Sequence, residues 1–329
     1  MDIGVSVLGA GSWGTTVAHL AAHNQPTVIW ARRSEVAEEI TERHTNERYL
    51  PGHVLHPELR ASNDLAETVG RADVLVVGVP TSGFREALVA AAPHLRPWVP
   101  VVSLSKGFER DTQLRMSEVI AQEMPGHPVA VLTGPNLAKE ILSGDAAAAV
   151  VATEDSRIAT TLQEVFSTDV FRVYTNDDVI GCELGGALKN VIALASGMAD
   201  GLGTGDNTRA AVITRGLAEL TQLGVAMGGR PESFAGLAGM GDLLATCLST
   251  QSRNRHVGEE LGRGKSIEKI IEEMDQVAEG VKSCAIVREL AAVHGVAVPI
   301  TDEVYRVCHE GANAVDAYRG LLNRNITSE

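Results

Sequence analysis

The sequence predicts an α/β fold, in which an N-terminal Rossmann-type parallel sheet domain is followed by a mostly α-helical C-terminal domain. Three observations support this. The apolar run Val5–Leu8 breaks into a glycine-rich turn and resumes as small and apolar residues at helical spacing. Strand-like runs then alternate with helical patterns to about residue 176, and beyond it only helical patterns follow. We therefore expect one domain over residues 1–176 and a second over residues 177–329, with the hinge within residues 175–178.

Composition limits the classes of partner. A chain of 329 residues suits two domains, and its net charge of −14 disfavours a nucleic acid or an anionic membrane surface as partner. The N-terminus lacks a signal-peptide pattern, and we expect no membrane span. These features predict a cytoplasmic protein.

The chain has four cysteines, which are far apart in the sequence and lack the spacing of metal ligands: Cys182, Cys247, Cys284 and Cys308. We expect them to be small core residues in a reducing compartment, and we expect no metal site.

The turn over residues 9–14 has the pattern GxGxxG between a predicted strand and a predicted helix, residues 15–22. In that context Gly9 allows the tight turn, Gly11 leaves room for a pyrophosphate, and Gly14 lets the helix pack closely on the sheet. The helix N-terminus then directs its N–H groups at the phosphates. Chance is the alternative explanation in a chain with 33 glycines. The pattern and its context predict a dinucleotide site.

The end of the second strand, Thr27–Trp30, bears on the choice of dinucleotide. NAD sites usually place an acid there for the ribose 2′-OH, whereas this chain has Arg32 and Arg33. Two guanidinium groups suit a 2′-phosphate, so NADP is preferred over NAD. The alternative is that both arginines are solvated and Glu35 binds the ribose.

Further strands and helices alternate along the first domain. The predicted strands cover residues 72–79, 99–104, 129–132, 146–152 and 170–174, and the predicted helices cover residues 36–43, 83–91 and 113–123. Ligands of parallel sheets bind at the carboxyl ends of the strands. Lys106, Gly134 and Asn136 follow such ends, so we expect them on the same edge of the sheet as the glycine turn.

The second domain carries a candidate proton donor. Its predicted helices cover residues 184–198, 208–223, 267–273, 284–294, 303–309 and 314–322. Lys189 lies in the first of them among small and apolar residues. Burial lowers the pKa of a lysine towards the range useful for acid–base chemistry. The alternative is a lysine whose ammonium group extends to the helix surface.

Two further groups of polar residues follow. Asp242 lies in a glycine-rich approach to an apolar run, so it needs a cationic or hydrogen-bonding partner, and Lys189 is a candidate. Ser252, Arg253 and Asn254 offer a hydroxyl, a guanidinium and an amide, which suit an anion such as phosphate. The alternative is a helix N-terminus capped by Ser252, with Arg253 and Arg255 both solvated.

Taken together, these motifs resemble bacterial NAD(P)-dependent sn-glycerol-3-phosphate dehydrogenase. The resemblance covers nearly the whole chain and rests on motifs that occur in this order: GAGSWGT (residues 9–15), SKG (105–107), GPNLAKE (134–140), LKNV (188–191), NTRA (207–210), GDL (241–243), QSRNR (251–255) and VAEG (277–280). The combination is specific, whereas each motif alone is not.

The resemblance implies reversible reduction of dihydroxyacetone phosphate to sn-glycerol 3-phosphate, which feeds phospholipid synthesis. It implies Lys189 as proton donor and acceptor, with Asp242 and Lys106 beside it. The implied substrate-binding residues are Lys106, Gly134, Asn136, Lys189, Asp242, Ser252, Arg253 and Asn254. The implied cofactor-binding residues are Gly9, Gly11, Ser12, Trp13, Gly14, Arg32, Arg33, Lys106, Ala138, Arg253, Val277 and Glu279. Asn136 departs from the family pattern, since many relatives carry Ser or Thr there.

Two other functions are compatible with parts of the pattern. One is a different two-domain dehydrogenase, although none of the four cysteines has an activating motif neighbour for the oxidation of an alcohol to an acid. The other is a non-catalytic NADP-sensing module. The Ala- and Gly-rich helices of the second domain also make a homodimer possible.

Overall fold

The computed structural model describes residues 2–274 and 278–322 and divides into two compact units, Met1–Glu183 and Leu184–Glu329. The predicted fold class, a Rossmann-type sheet domain followed by a helical domain, is confirmed. The predicted domain limit at residue 176 stays a prediction.

The first unit is built on an eight-stranded sheet with the order β3-β2-β1-β4-β5-β6-β7-β8. The strands are β1 Val5–Leu8, β2 Thr27–Trp30, β3 Arg60–Ser62, β4 Val74–Val77, β5 Val101–Ser103, β6 Val129–Thr133, β7 Ala147–Ala152 and β8 Phe171–Asn176. The order reverses at β1, which pairs with β2 on one side and with β4 on the other. Such a reversal marks the ligand crevice of a doubly wound sheet.

The predicted parallel sheet has one exception, because β6 and β7 are antiparallel. The segment between them contains only the five-residue helix Ala138–Leu142. That helix rises about 8 Å, whereas β6 extends over about 17 Å. No helix between the two strands matches the length of β6, and β7 runs back beside it.

Helices cover both faces of the sheet. They are α1 Ser12–Ala22, α2 Ser34–Glu38, α3 Leu65–Gly70, α4 Phe84–Ala91, α5 Met116–Glu123, α6 Ala138–Leu142 and α7 Ser156–Phe166. Alternate residues of a strand serve the two faces: Val7 packs in the apolar cluster with α1 and α7, whereas Leu8 packs in the cluster with α4 and α5. The α2 helix continues as a π-helical turn, Glu39–Arg43, and short 3₁₀ turns occupy Thr81–Gly83 and Ala92–His94.

Four elements of the first unit are not predicted by apolar periodicity: β3, α3, α6 and α7. Two of these helices nevertheless have a clear start signal. Asp64 accepts the N–H of Glu67 at 2.9 Å, and Asp155 accepts the N–H of Arg157 at 2.9 Å. Both are side-chain caps of a helix N-terminus, so capping residues would have located α3 and α7.

The second unit is helical throughout the part of it that the structure describes. Its helices are α8 Val179–Gly201, which begins within the first unit, α9 Asp206–Ala226, α10 Pro231–Ala235, α11 Asp242–Leu248, α12 Arg253–Gly262, α13 Ile267–Glu273, α14 Glu279–His294, α15 Pro299–His309 and α16 Ala314–Leu322. A π-helical turn, Leu237–Gly241, precedes α11. The predicted helical segments are all present, α10 and α11 are additions, and α12 was expected only in the alternative with Ser252 as a helix cap.

Small residues bring α8 and α12 into backbone contact. A Cβ atom added to Gly197 would lie 2.0 Å from the carbonyl oxygen of Arg255, and one added to Gly258 would lie 2.1 Å from that of Leu194. Neither position can therefore accept a side chain while the two helices keep this separation. The close approach brings the start of α12 beside the middle of α8.

One helix corrects the expectation that no segment is long enough to cross a membrane. By length and composition α8 could do so, but 83% of its most apolar window is buried inside the protein. Its apolar character is that of a core helix, which is enclosed by protein rather than by lipid.

A histidine cluster in the first unit predicts a pH-dependent stability. Burial, with smaller contributions from His23 and His56, lowers the pKa of His19 from 6.5 to about 4. The Nδ1 atom of His19 accepts the N–H of His56 at 2.9 Å, which opposes protonation. Between those two pKa values the unfolded chain binds more protons than the folded one, so the free energy of unfolding decreases as the pH falls.

We expect this histidine to contribute about 3 kcal/mol to the loss of stability between about pH 7.5 and about pH 4. Urea unfolding at both pH values should show a loss that is smaller by that amount in His19→Gln. The exposed His94 lies outside the cluster, and His94→Gln should keep the wild-type dependence. An unchanged dependence in His19→Gln would contradict the prediction.

Candidate active site

The glycine turn connects β1 to α1 at the point where the strand order reverses. Gly9 has φ +106°, and a Cβ atom there would lie 2.8 Å from the carbonyl oxygen of Gly78. A Cβ atom on Gly14 would lie 2.1 Å from the carbonyl oxygen of Gly9. Both positions therefore require glycine for the turn to pack against β4 and its extension.

Gly11 is different, because a Cβ atom there would have no neighbour within 4 Å. It is the N-cap residue of α1, and no side chain caps the helix. The start of α1 thus has no side-chain cap, and it follows a residue with open space on its Cβ side. This arrangement fits a pyrophosphate, which would use both the free N–H groups and the room at Gly11.

The two residues between Gly11 and Gly14 also have defined surroundings. Ser12 donates its hydroxyl to the carbonyl oxygen of Tyr49 at 3.1 Å. Trp13 packs against Phe171, with 6.4 Å between ring centroids, and its buried indole N–H has no hydrogen-bond partner among the described residues. An unpartnered buried donor is uncommon in a folded protein and is consistent with a ligand position.

Arg32 and Arg33 lie two and three residues after the end of β2, a strand end that adjoins the glycine turn. The N–H of Gly9 donates to the carbonyl oxygen of Trp30 at 3.1 Å, so the two strand ends are adjacent. Both arginines are exposed, and so is Glu35 in the first turn of α2. The structure thus leaves both the guanidinium groups and the carboxylate available at the end of β2.

Lys106 and Gly134 meet at the edge where β5 and β6 end. The Nζ atom of Lys106 donates to the carbonyl oxygen of Gly134 at 2.9 Å. Gly134 has φ +131°, and a Cβ atom there would lie 3.1 Å from the Cα atom of Ala149 in β7. The glycine is therefore needed for the turn that leaves β6, and this turn supplies a fixed oxygen for the lysine.

Asn136 lies two residues further along. Its Oδ1 and Nδ2 atoms are both buried, and neither has a hydrogen-bond partner among the described residues. Burial of an unpaired amide is unfavourable by about 1–3 kcal/mol. A polar ligand would remove that penalty, and an amide suits one because it can both donate and accept. Ala138 begins α6 and is half-buried.

Lys189 and Asp242 form a buried ion pair in the second unit. The residues are 6% and 1% exposed, and Nζ of Lys189 contacts Oδ1 of Asp242. Nζ also donates to Oγ1 of Thr246 at 2.6 Å, and that hydroxyl donates to the backbone oxygen of Asp242 at 2.6 Å. The pairing suggested by the sequence is present, and the alternative of a lysine that extends to the surface is wrong.

Thr246 is the functional candidate that the sequence analysis missed. It lies four residues after Asp242 on α11, so both side chains occupy the same face of the helix. The four-residue spacing from Asp242 could have identified Thr246 in the sequence. The carboxylate alone would allow the ammonium group of Lys189 several orientations. The hydroxyl of Thr246 restricts them.

The residues at the start of α12 differ in their burial and in their contacts. Ser252 is the N-cap, whose hydroxyl accepts the N–H of Arg255 at 3.2 Å, as the capping alternative predicted. The second part of that alternative is wrong, because Arg255 is 15% exposed and pairs with Asp200 at 2.8 Å. Arg253 is exposed.

Asn254 is buried and connects three helices. Its Nδ2 donates to Oδ1 of Asn190 at 3.0 Å, and its Oδ1 accepts the N–H of Gly280 at 2.9 Å. Asn190 is next to Lys189 on α8, and Gly280 is next to Glu279, the first residue of α14. Val277, another predicted cofactor residue, lies outside the described residues. Within residues 2–274 and 278–322 no cluster of His, Cys, Asp or Glu could hold a metal ion.

The structure therefore assembles two groups of residues. The first unit places the glycine turn beside Arg32 and Arg33, and it joins Lys106 to Gly134. The second unit joins Lys189 to Asp242 and Thr246, and it connects the start of α12 to the helices that carry Asn190 and Gly280. The first group suits a dinucleotide and the second suits proton transfer.

Known proteins resemble this chain over both units. Residues 4–159 match the family described as NAD-dependent glycerol-3-phosphate dehydrogenase N-terminus, and residues 178–319 match the C-terminus of that family. A protein named glycerol-3-phosphate dehydrogenase [NAD(P)+] 2 from Sphingopyxis alaskensis is 56% identical over 329 residues, which cover 100% of this chain and 99% of that one. Glycerol-3-phosphate dehydrogenase [NAD(P)+] from Mycobacterium avium is 54% identical over 319 residues. The match covers 97% of this chain and 94% of that protein.

A solved structure agrees with these relatives. The crystal structure of glycerol-3-phosphate dehydrogenase from Coxiella burnetii has a TM-score of 0.92 at 36% identity, covering 98% of this chain and 99% of that one. With matches over both parts of the sequence and over nearly its full length, the chain belongs to the NAD-dependent glycerol-3-phosphate dehydrogenase family.

Proposed function

We propose that this chain is an NAD(P)-dependent sn-glycerol-3-phosphate dehydrogenase, which reversibly reduces dihydroxyacetone phosphate to sn-glycerol 3-phosphate. The observation that carries the proposal is the buried ion pair of Lys189 and Asp242, in a chain that matches the family over both of its parts. A buried ammonium group held by a carboxylate and a hydroxyl can supply the proton that a reduced carbonyl requires.

Lys189 is the proposed proton donor and acceptor. When bound, the reduced nicotinamide supplies a hydride to the carbonyl carbon of the substrate. Lys189 gives a proton from Nζ to the carbonyl oxygen as negative charge develops there, and it takes that proton back in the oxidation. Asp242 and Thr246 hold Nζ from two directions, so the side chain remains in one orientation through the proton transfer.

The remaining predicted residues are assigned to binding. Arg253 and Ser252 would neutralise and hold the substrate phosphate, since an arginine can bind it with two parallel hydrogen bonds. The unpaired amide of Asn136 and the backbone of Gly134 would bind the polar groups of the substrate, with Lys106 beside them. Asn254 already uses its amide for Asn190 and Gly280. Its assigned contact with substrate must therefore use the remaining N–H or lone pair.

Further properties are part of the proposal. The product would supply phospholipid synthesis, the protein would be cytoplasmic, and the helical unit would form a homodimer. These assignments follow the family resemblance and the close packing of Ala- and Gly-rich helices.

NADP is the proposed preferred cofactor, because Arg32 and Arg33 lie exposed at the end of β2. We expect Arg32→Ser/Arg33→Ser to raise KM for NADPH by about tenfold or more, since each charge-assisted contact contributes about 1.5–3 kcal/mol. KM for NADH should change little. Arg71→Ser removes an exposed arginine from the same unit and should change neither value. Equal effects on NADPH and NADH would contradict this role.

Parallel assays test the reaction itself. Purified protein is mixed with dihydroxyacetone phosphate, and the absorbance of NADPH and of NADH is followed separately. Oxidation of either cofactor in proportion to the substrate supports the proposal. No oxidation of either would refute it, and binding of NADPH without turnover would favour the NADP-sensing module instead.

A further inference from the structure

Asn46 lies in the loop that follows the π-helical turn Glu39–Arg43, and its side chain contacts the glycine turn. The residue is 0% exposed. Its Nδ2 atom donates to the carbonyl oxygen of Ala10 at 3.0 Å and to Oγ1 of Thr15 at 2.9 Å. Because a carbonyl oxygen can only accept, the contact with Ala10 fixes which side of the amide is the donor. Its Oδ1 atom has no hydrogen-bond partner among the described residues, so the side chain acts through its two N–H groups.

The two acceptors lie at the two ends of the segment that forms the nucleotide turn. Ala10 directly precedes Gly11, the N-cap residue of α1. Thr15 closes the first turn of that helix, since its N–H donates to the carbonyl oxygen of Gly11 at 2.9 Å. A single NH₂ group therefore holds residues 10 and 15 together. The segment between them cannot open without the loss of a hydrogen bond.

The contact with Ala10 also sets the orientation of one peptide group. The peptide between Ala10 and Gly11 is planar and trans, so its N–H points away from its carbonyl oxygen. Asn46 holds that oxygen, and the N–H of Gly11 is thereby turned to the other side of the peptide. Anions bind to N–H groups at the start of a helix. The side chain of Asn46 thus controls the direction in which the chain enters such a site.

Asn46 is itself held in place by its neighbours in the loop. Oε1 of Glu39 accepts the hydroxyl of Thr45 at 2.9 Å and the N–H of Glu47 at 2.7 Å. These two residues stand on either side of Asn46 in the sequence. One carboxylate oxygen therefore fixes the backbone before and after the asparagine, which leaves its side chain a defined starting point.

A second connection joins the same loop to the turn. The carbonyl oxygen of Asn46 accepts the N–H of Tyr49 at 3.1 Å, and the carbonyl oxygen of Tyr49 accepts the hydroxyl of Ser12 at 3.1 Å. One connection thus ends at Ala10 and the other at Ser12, on the two sides of the N-cap residue. The loop holds the start of α1 at both points.

We propose that Asn46 is a positioning residue for the dinucleotide, a role that rests on the proposed function. By holding Ala10 and Thr15, it keeps the start of α1 in the conformation that receives the pyrophosphate. NADPH and NADH contain the same pyrophosphate, so the loss of Asn46 should weaken the binding of both by the same factor. The loss of Arg32 and Arg33, by contrast, should affect NADPH alone.

Calorimetric titration of Asn46→Leu tests this role. Leucine keeps the branched shape of asparagine and removes both N–H donors. We expect the Kd values for NADPH and for NADH to rise in the same proportion, by about tenfold or more. With saturating cofactor, kcat should stay within about twofold of the wild-type value, because the proton donor lies elsewhere. Unchanged Kd values in the folded variant, or a rise for one dinucleotide alone, would overturn the proposal.

Asn24→Leu is the matched control. Nδ2 of Asn24 also donates to two oxygen atoms, the carbonyl oxygens of Val165 at 3.1 Å and of Ser167 at 2.7 Å. These contacts hold the chain just after the far end of α1, so their loss should leave both Kd values unchanged. An equal weakening in Asn24→Leu would show that any loosening around α1 has this effect, and it would contradict the role of Asn46.

A second variant decides the question if Asn46→Leu does not fold. Thr15→Val removes one of the two acceptors with little change of shape, and we expect a smaller rise that is again equal for NADPH and NADH. Unchanged Kd values in Thr15→Val would then overturn the proposal. A wild-type protein that binds both dinucleotides without turnover of dihydroxyacetone phosphate would refute the proposed function. The Kd ratios of the variants would still measure the role of Asn46.

Discussion

Replacement of Lys189 by methionine is expected to lower kcat by about 10²–10⁴-fold, the usual contribution of a positioned general acid. Methionine approximates the length of the lysine stem but has no proton to give to the carbonyl oxygen. Steady-state rates with saturating dihydroxyacetone phosphate and NADPH, and separately with NADH, measure the effect. Near-native turnover in Lys189→Met would exclude Lys189 as the proton donor.

The same substitution should also destabilise the protein, because it leaves the Asp242 carboxylate buried at 1% exposure without its cation. Breaking a buried pair from one side typically lowers the free energy of unfolding by about 3–5 kcal/mol. The double variant Lys189→Met/Asp242→Asn removes the orphaned charge, so it should recover much of that stability without recovering turnover. Joint recovery of both would show that the loss of rate in Lys189→Met is only a folding defect.

Two matched substitutions in the glycine turn are expected to have large effects on different properties. One should weaken cofactor binding, and the other should lower the stability. Gly11→Ala places its methyl group in open space, whereas Gly14→Ala places it 2.1 Å from the carbonyl oxygen of Gly9. We expect Gly11→Ala to unfold like the wild type but to bind NADPH about 10²-fold more weakly, because the methyl group displaces the pyrophosphate. We expect Gly14→Ala to lose about 3 kcal/mol or more of stability through overpacking.

Thermal unfolding without cofactor and titration with NADPH distinguish these outcomes. A cofactor affinity that is unchanged in Gly11→Ala would mean that the dinucleotide does not lie against the turn. Wild-type stability in Gly14→Ala would mean that α1 can move away from β4 at little energetic cost. The two results are independent, since one is read from the bound state and the other from the unbound protein.

Short-range patterns were sufficient for most of the fold. β1 and β2 have the predicted bounds, as does the helix over residues 267–273, because burial of alternate or helically spaced apolar residues is visible in a few neighbouring positions. The glycine turn was also predictable from residue type. Only glycine fits both the positive φ at Gly9 and the close approach of Gly14 to the neighbouring backbone. The same patterns did not indicate β3 or α6, which are only three and five residues long and too short to show a period.

Long-range packing decided the rest. The sequence proposed Lys189 as a partner of Asp242, but only the fold of α8 and α11 brings them into contact and adds Thr246. Direction in the sheet was also beyond local patterns, since the antiparallel pairing of β6 and β7 is a contact between segments separated by residues 134–146.

The sequence alone thus determined the fold class, the nucleotide turn and the residue types of the site, because each depends on neighbours along the chain. The tertiary structure decided which of those residues are paired. It turned Asn254 into the link between Asn190 and Gly280. Contacts between distant segments depend on the packing of whole helices, which local periodicity does not specify.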